Sequence, residues 1–137
     1  MPKQSPVPEE HDQPFWAACN EDRLVVQNCK ACDRLQHPPE PACWQCGSAD
    51  NLEWSEVSGR GKIHSYSVMY DNTVAALQAE QPFNTAIIEL EEDSELTMLS
   101  NLPGVPLDEV PIGAAVQVIF EVTPETGQKI PEWQLET

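Results

Sequence analysis

Four of the five cysteines in this 137-residue chain fall within eighteen positions, as Cys29-Lys-Ala-Cys32 and Cys43-Trp-Gln-Cys46. Each C-x2-C pair can offer two thiolates from one tight turn, and the two pairs complete a tetrahedron around a single metal ion. Such a site is closed. Catalytic zinc keeps one position for water, so four sulfurs argue against metal catalysis. Thiol-disulfide chemistry needs a C-x-x-C opening a helix within a βαβ pattern, and neither pair has that context. A rubredoxin-type iron would use the same pairs. Zinc fits better, because charged and amide residues crowd the cysteines where a redox iron wants an apolar shell. The expected cofactor is one structural Zn2+ held by Cys29, Cys32, Cys43 and Cys46.

The other reactive side chains carry weaker signals. Cys19 sits on the apolar side of a short predicted helix and reads as a small buried hydrophobe. His37 reads as a packing or solvent residue, since four cysteines already fill the metal. His64 has no nucleophile and acid at a recognisable spacing. Glu89, Glu91, Glu92, Asp93 and Glu95 fall at a hairpin tip without the spacing of a calcium loop, so a solvated turn is expected. "SGRGK" (58–62) offers Arg60 and Lys62 as possible phosphate contacts. It precedes a strand rather than a helix, however, and reads first as a flexible entry into the next unit.

The elements that must position the cysteines follow from patterning. Asp12 is expected to cap a helix over "DQPFWAACNEDR", with Pro14 in its first turn and Phe15, Ala18 and Cys19 on one face. "RLVVQN" (23–28) reads as a strand feeding the first pair, and "LEWSEV" as another after the second. Five further strands follow: "GKIHSYSVMY" (61–70), "NTAIIELEE" (84–92), "ELTMLSNL" (95–102), "AAVQVIFEVT" (114–123) and "KIPEWQLE" (129–136). Their two-residue period and the Gly, Pro and Asp clusters between them predict a mainly β fold, with a five-stranded OB-type barrel after a four-cysteine ribbon. The segment 71–83 lacks a strand pattern and is long for a hairpin loop. The domains read as a mobile arm (1–11), a helix plus zinc ribbon (12–57) and a barrel (58–137).

Charge narrows the function. The chain carries 7 Lys and Arg against 23 Asp and Glu, a formal charge of -16. Between Lys62 and Lys129 there is no basic residue and there are eleven acidic ones. A single-stranded nucleic-acid binder, the alternative an OB barrel suggests by itself, needs a basic groove with stacking aromatics. Neither nucleic acid nor an anionic membrane surface is an expected partner. No apolar run approaches a membrane span, and "MPKQSPVPEEHDQ" lacks the pattern of a signal peptide, so a cytoplasmic location is expected. In a reducing compartment, close cysteine pairs favour metal over disulfides.

Taken together, "PFWAACNEDRLVVQNCKACDRLQHPPEPACWQCGS", "EVSGRGKIHSYSV", "PFNTAIIELEE", "LSNL", "IGAAVQVIFE" and "IPEWQL" resemble, in order and spacing, the DUF35 family of zinc-ribbon plus OB-fold proteins. The likeness runs from about residue 14 to the C-terminus. It implies an N-terminal helix, a rubredoxin-like ribbon and an OB barrel, with Cys29, Cys32, Cys43 and Cys46 matching the metal ligands. It also implies a non-catalytic accessory subunit in acyl-CoA and lipid metabolism. Such subunits form hetero-oligomers with thiolase-superfamily enzymes (thiolases or related aldolases) or with acyl-CoA hydratases. No catalytic residue carries over, because those lie in the partner. His37 departs from the family pattern, in which an aromatic or aliphatic residue precedes the paired prolines.

A barrel this acidic should not grip the phosphates of coenzyme A, so contact with a CoA ester is expected at its acyl or pantetheine part. Trp44, Phe83 and Trp133 are candidate interface anchors, Trp being enriched at interface hot spots. Phe83 and Trp133 are read equally as barrel core, and Trp44 equally as packing over the sulfurs.

Overall fold

The computed structural model describes residues 4–70, 73 and 75–136. One helix, α1 (Gln13–Asn20), precedes a three-stranded sheet of β1 (Val25–Cys29), β2 (Arg34–Gln36) and β3 (Leu52–Glu56), in the order β2-β1-β3. A five-stranded sheet follows, made of β4 (Arg60–Met69), β5 (Phe83–Leu90), β6 (Thr97–Ser100), β7 (Ala115–Val122) and β8 (Lys129–Leu135). Its order is β6-β5-β4-β7-β8, and every pairing is antiparallel. The expected mainly β fold, a ribbon followed by five barrel strands, is the fold observed.

Helix α1 buries Phe15, Ala18 and Cys19, the face its spacing predicts, and carries Pro14 in its first turn. Its start differs from expectation. The Asp12 side chain does not cap the helix; instead its Oδ1 accepts the Glu9 N-H at 2.6 Å. The helix ends where Glu21 and Asp22 donate back to Ala18 and Cys19 and Asp22 takes a positive φ of 59°. Asp is one of the few non-glycine residues that tolerates this conformation. The segment before the helix is tied to the barrel through Ser5, which donates to Thr123 Oγ1 at 2.7 Å and accepts the Thr126 N-H at 3.1 Å.

Strand β4 is the spine of the barrel, pairing β5 on one side and β7 on the other. A bulge at His64 shifts its register between Ile63 and Ser65. Ile63, opposite Ile88, and Tyr66, opposite Ala86, are three residues apart yet both join the core. The extra residue reverses the parity of the strand, which a strict two-residue period cannot anticipate. Glycines serve the same geometry at the strand's start. Gly59 has a φ of +78°, and a Cβ on Gly61 would drive into the Glu89 carbonyl of β5. "SGRGK" is thus a tightly fitted entry rather than a loose one.

The outer strands β6 and β8 approach through side chains. Ser100 donates to Glu132 Oε2 at 2.7 Å, the Asn101 N-H donates to the same oxygen at 3.2 Å, and the Trp133 N-H donates to Ser100 Oγ at 3.0 Å. Segment 71–83 holds a short 3-10 helix, Ala75–Glu80, while Asp71, Asn72 and Val74 lie outside the described residues. One core runs through all parts, from Phe15 and Cys19 of α1 through Val26 of β1 to Ile63, Ile88, Val116 and Trp133 of the barrel.

The three residues joining ribbon to barrel are each fixed. The Val57 N-H donates to Leu24 O at 3.0 Å, the Ser58 N-H to Glu92 Oε2 at 2.7 Å, and Gly59 O accepts from Val118 at 2.8 Å.

Candidate metal centre

Each cysteine pair sits on a turn with the same logic. Cys29 is the last residue of β1, paired with Arg34 and Leu52, so the central ribbon strand delivers the first sulfur. Asp33, after Cys32, has a φ of 51°, and Gly47, after Cys46, has a φ of 76°. A left-handed residue after each pair turns the chain back and leaves both sulfurs on one side. The second turn is closed by Gly47 N-H to Cys43 O and Cys43 N-H to Ser48 O, both 2.9 Å.

The four sulfurs converge within 4.8 Å of one another, the only such metal-ligating group of three or more among the described residues. Across the two turns, Cys29 and Cys46 sulfurs are 3.8 Å apart and Cys32 and Cys43 sulfurs 3.9 Å. A regular tetrahedron of Zn-S bonds at 2.3 Å has an edge of about 3.8 Å. The set therefore fits a four-coordinate metal with no vacant position. Cys29 and Cys43 are buried, Cys32 is half-buried and Cys46 is exposed.

Backbone N-H groups of Cys46, and then of Gln45, draw the Cys43 thiol down to about 6. Hydrogen bonding with Cys46, burial and the other sulfurs push Cys32 up to about 12. Thiolates this close repel, and a divalent cation is what lets all four ionise together.

Two buried amides that patterning missed support the second turn. Gln27 on β1 and Gln36 on β2 are cross-strand partners, and Gln36 Nε2 donates to Gln27 Oε1 at 2.9 Å. Gln27 also accepts the Glu40 N-H (2.9 Å) and donates to Glu40 O (2.8 Å). Gln36 donates to Ala42 O (3.2 Å) and accepts the Trp44 N-H (3.0 Å). The pair thereby pins the loop that carries Cys43. The available signal was parity, since Gln27 alternates with buried Val25 and Cys29 on β1.

The other expected site residues scatter. The Trp44 ring is 51% exposed beside Cys43, whereas Trp133 is fully buried (0%) and belongs to the barrel core rather than a free surface. Phe83 is half-buried at the start of β5, opposite Met69. Arg60 and Lys62 are exposed, and each faces a carboxylate: Arg60 Nε lies 3.8 Å from Glu136, and Lys62 Nζ lies 3.6 Å from Glu89. Cys19 is buried and its thiol is pushed up to about 12 by that burial, which leaves it inert. The acidic run is a hairpin turn, with Glu95 N-H donating to Asp93 Oδ1. The His37 ring packs against Phe15 with centroids 5.3 Å apart and a 40° tilt between the planes, and its Nδ1 is buried with no partner among the described residues. No helix among them is long and apolar enough to cross a membrane.

A four-thiolate ribbon fused to a nearly closed five-stranded barrel is the architecture of a zinc-ribbon OB-fold protein. Family models agree, residues 16–53 matching "ChsH2, rubredoxin-like zinc ribbon domain" and 54–121 "ChsH2, C-terminal OB-fold domain". The chain belongs to the DUF35 family. It is 32% identical to a DUF35 domain-containing scaffold protein of Methanothermobacter thermautotrophicus, covering 77% of each chain. It is also 39% identical to a probable enoyl-CoA hydratase alpha subunit of Thermomonospora curvata over 83% of its length, but spans only 35% of that protein. Among solved structures it is similar to a chain of the Ltp2-ChsH2(DUF35) aldolase, with a TM-score of 0.79, 30% identity, and coverage of 96% of this chain and 98% of that one.

Proposed function

We propose that this chain is a non-catalytic, cytoplasmic scaffold subunit, stapled by one zinc on Cys29, Cys32, Cys43 and Cys46, that docks on a thiolase-superfamily acyl-CoA enzyme. The observation that carries the reading is the end-to-end similarity to the DUF35 chain of an aldolase assembly. The closed donor set supports a structural metal rather than a catalytic one. A ribbon of this size has little core of its own, and structural zinc contributes about 10–16 kcal/mol of apparent binding energy in small ribbon-like peptides. Trp44 and Phe83 are the interface candidates. Because Arg60 and Lys62 already face Glu136 and Glu89, the partner's own cations are left to hold the CoA nucleotide, and this chain contacts the acyl or pantetheine part.

The hydratase relative favours a second reading, an accessory subunit of an acyl-CoA hydratase. Co-expression with each co-encoded acyl-CoA enzyme, followed by size-exclusion chromatography and elemental analysis, tests both. Co-elution with a thiolase-like enzyme and about one zinc per chain is the expected result. Co-elution with a hydratase alone selects the second reading, and turnover of an acyl-CoA by the isolated chain overturns both. The isolated chain is also expected to leave single-stranded DNA and RNA unbound at physiological salt.

A further inference from the structure

We infer that the groove where α1, the His37-Pro38-Pro39 turn and barrel strands β6 and β8 meet is a binding site for a small, uncharged, largely apolar molecule carrying one hydrogen-bonding group. The groove holds about 710 Å³, within the roughly 300–1,000 Å³ range of small-molecule sites, and lies at a junction of units where such sites concentrate. Its walls are mostly apolar and aromatic: Phe15 and Trp16 from α1, Pro38 from the ribbon, Leu99 from β6, and Ile130 and Pro131 from β8. Leu99 is 71% exposed at its lip, where an apolar occupant would cover it.

Charge selects the occupant. The lining contains no Lys or Arg, and its one carboxylate, Asp12, repels anions. A cation would find only the Asp12 carboxylate among otherwise uncharged lining residues, and the Oδ1 of Asp12 already accepts the Glu9 N-H. The buried, unpartnered Nδ1 of His37 marks a polar group in the wall that a ligand's hydroxyl, carbonyl or N-H can satisfy after a turn of the ring. This inference stands apart from the scaffold reading, since it is read out on the isolated, zinc-loaded chain.

The test compares two probes sharing one framework, N-phenyl-1-naphthylamine, which is uncharged, and 8-anilino-1-naphthalenesulfonate, which adds a sulfonate. Saturable binding of one neutral probe per chain, with the sulfonate weaker by about tenfold or more, is expected. Leu99→Lys should weaken the neutral probe and strengthen the sulfonate, reversing part of the preference. Val122→Lys, on a side chain 63% exposed outside the groove, should change neither. Absent or non-saturable neutral binding, equal binding of the sulfonate, or the same response to Val122→Lys overturns the proposal. A dimer in solution that Leu99→Lys dissociates would also overturn it, assigning the groove to a second copy.

Discussion

Ser100 and Glu132, 32 positions apart in sequence, meet at 2.7 Å inside the seam between β6 and β8. Here a hydroxyl and a carboxylate stand where a closed barrel would have a ladder of backbone bonds. Ser100 Oγ also accepts the Trp133 N-H, so one atom serves both strands.

Ser100→Ala removes a donor to a buried carboxylate and the acceptor of a buried N-H. Charge-assisted and buried bonds of this kind contribute about 1.5–3 kcal/mol. Thermal and urea unfolding should show destabilisation of about 2–3 kcal/mol, and an unchanged midpoint would remove the seam from the account of barrel closure.

Gln36→Leu keeps the size of the side chain but strips the Trp44 N-H of its acceptor and Gln27 of a donor. The expected cost is about 2 kcal/mol or more in stability. Competition against a chromophoric zinc chelator should also show weaker metal binding, since the loop holding Cys43 loosens. Wild-type affinity would mean that the ligands hold themselves.

Asp33 and Gly47 occupy equivalent left-handed positions. Asp33→Gly should therefore be tolerated, with a change within about 0.5 kcal/mol, whereas Asp33→Val should cost about 1–2 kcal/mol, because a β-branched residue resists positive φ. Equal stability of the two variants in chemical denaturation would show that the turn relaxes.

His37 gives the fold a pH dependence of definite sign. Burial lowers its pKa from 6.5 to about 4. The unfolded chain takes up a proton below about 6.5 while the folded chain resists until about 4, so the contribution is complete above pH 6.5 and is lost as the pH falls through this window. The loss amounts to at most about 3 kcal/mol, less for a ring only half-buried. Asp12 is the charged group lining the same groove, and it is retained in His37→Leu. Stability curves of wild type and His37→Leu should diverge in slope between pH 6.5 and 4; parallel curves would contradict the buried neutral ring.

Legibility tracked the strength of local signals. The spacing of the cysteines, the face of α1 and the five barrel strands could be read, because each rests on a period or a ligand geometry carried within a few residues. Strand β2 was missed because three residues between two turns show no period. Gln27 and Gln36 were missed because amides on a strand read as solvent-facing until a loop is known to fold over them. Asp12 had a capping residue's identity, but the Glu9 N-H claimed its carboxylate first. The alternatives for Trp133 needed the parity of β8 relative to a barrel whose closure is made by side chains distant in sequence.

The pinned connection through Val57, Ser58 and Gly59 makes the molecule a caliper rather than two beads on a string. On the proposed docking role, Trp44 of the ribbon and Phe83 of the barrel would meet a partner as parts of one connected body, with orientational entropy surrendered during folding instead of at assembly. If that proposal holds, lengthening this connection by a few glycines should weaken assembly with the partner even where every contacting side chain is kept.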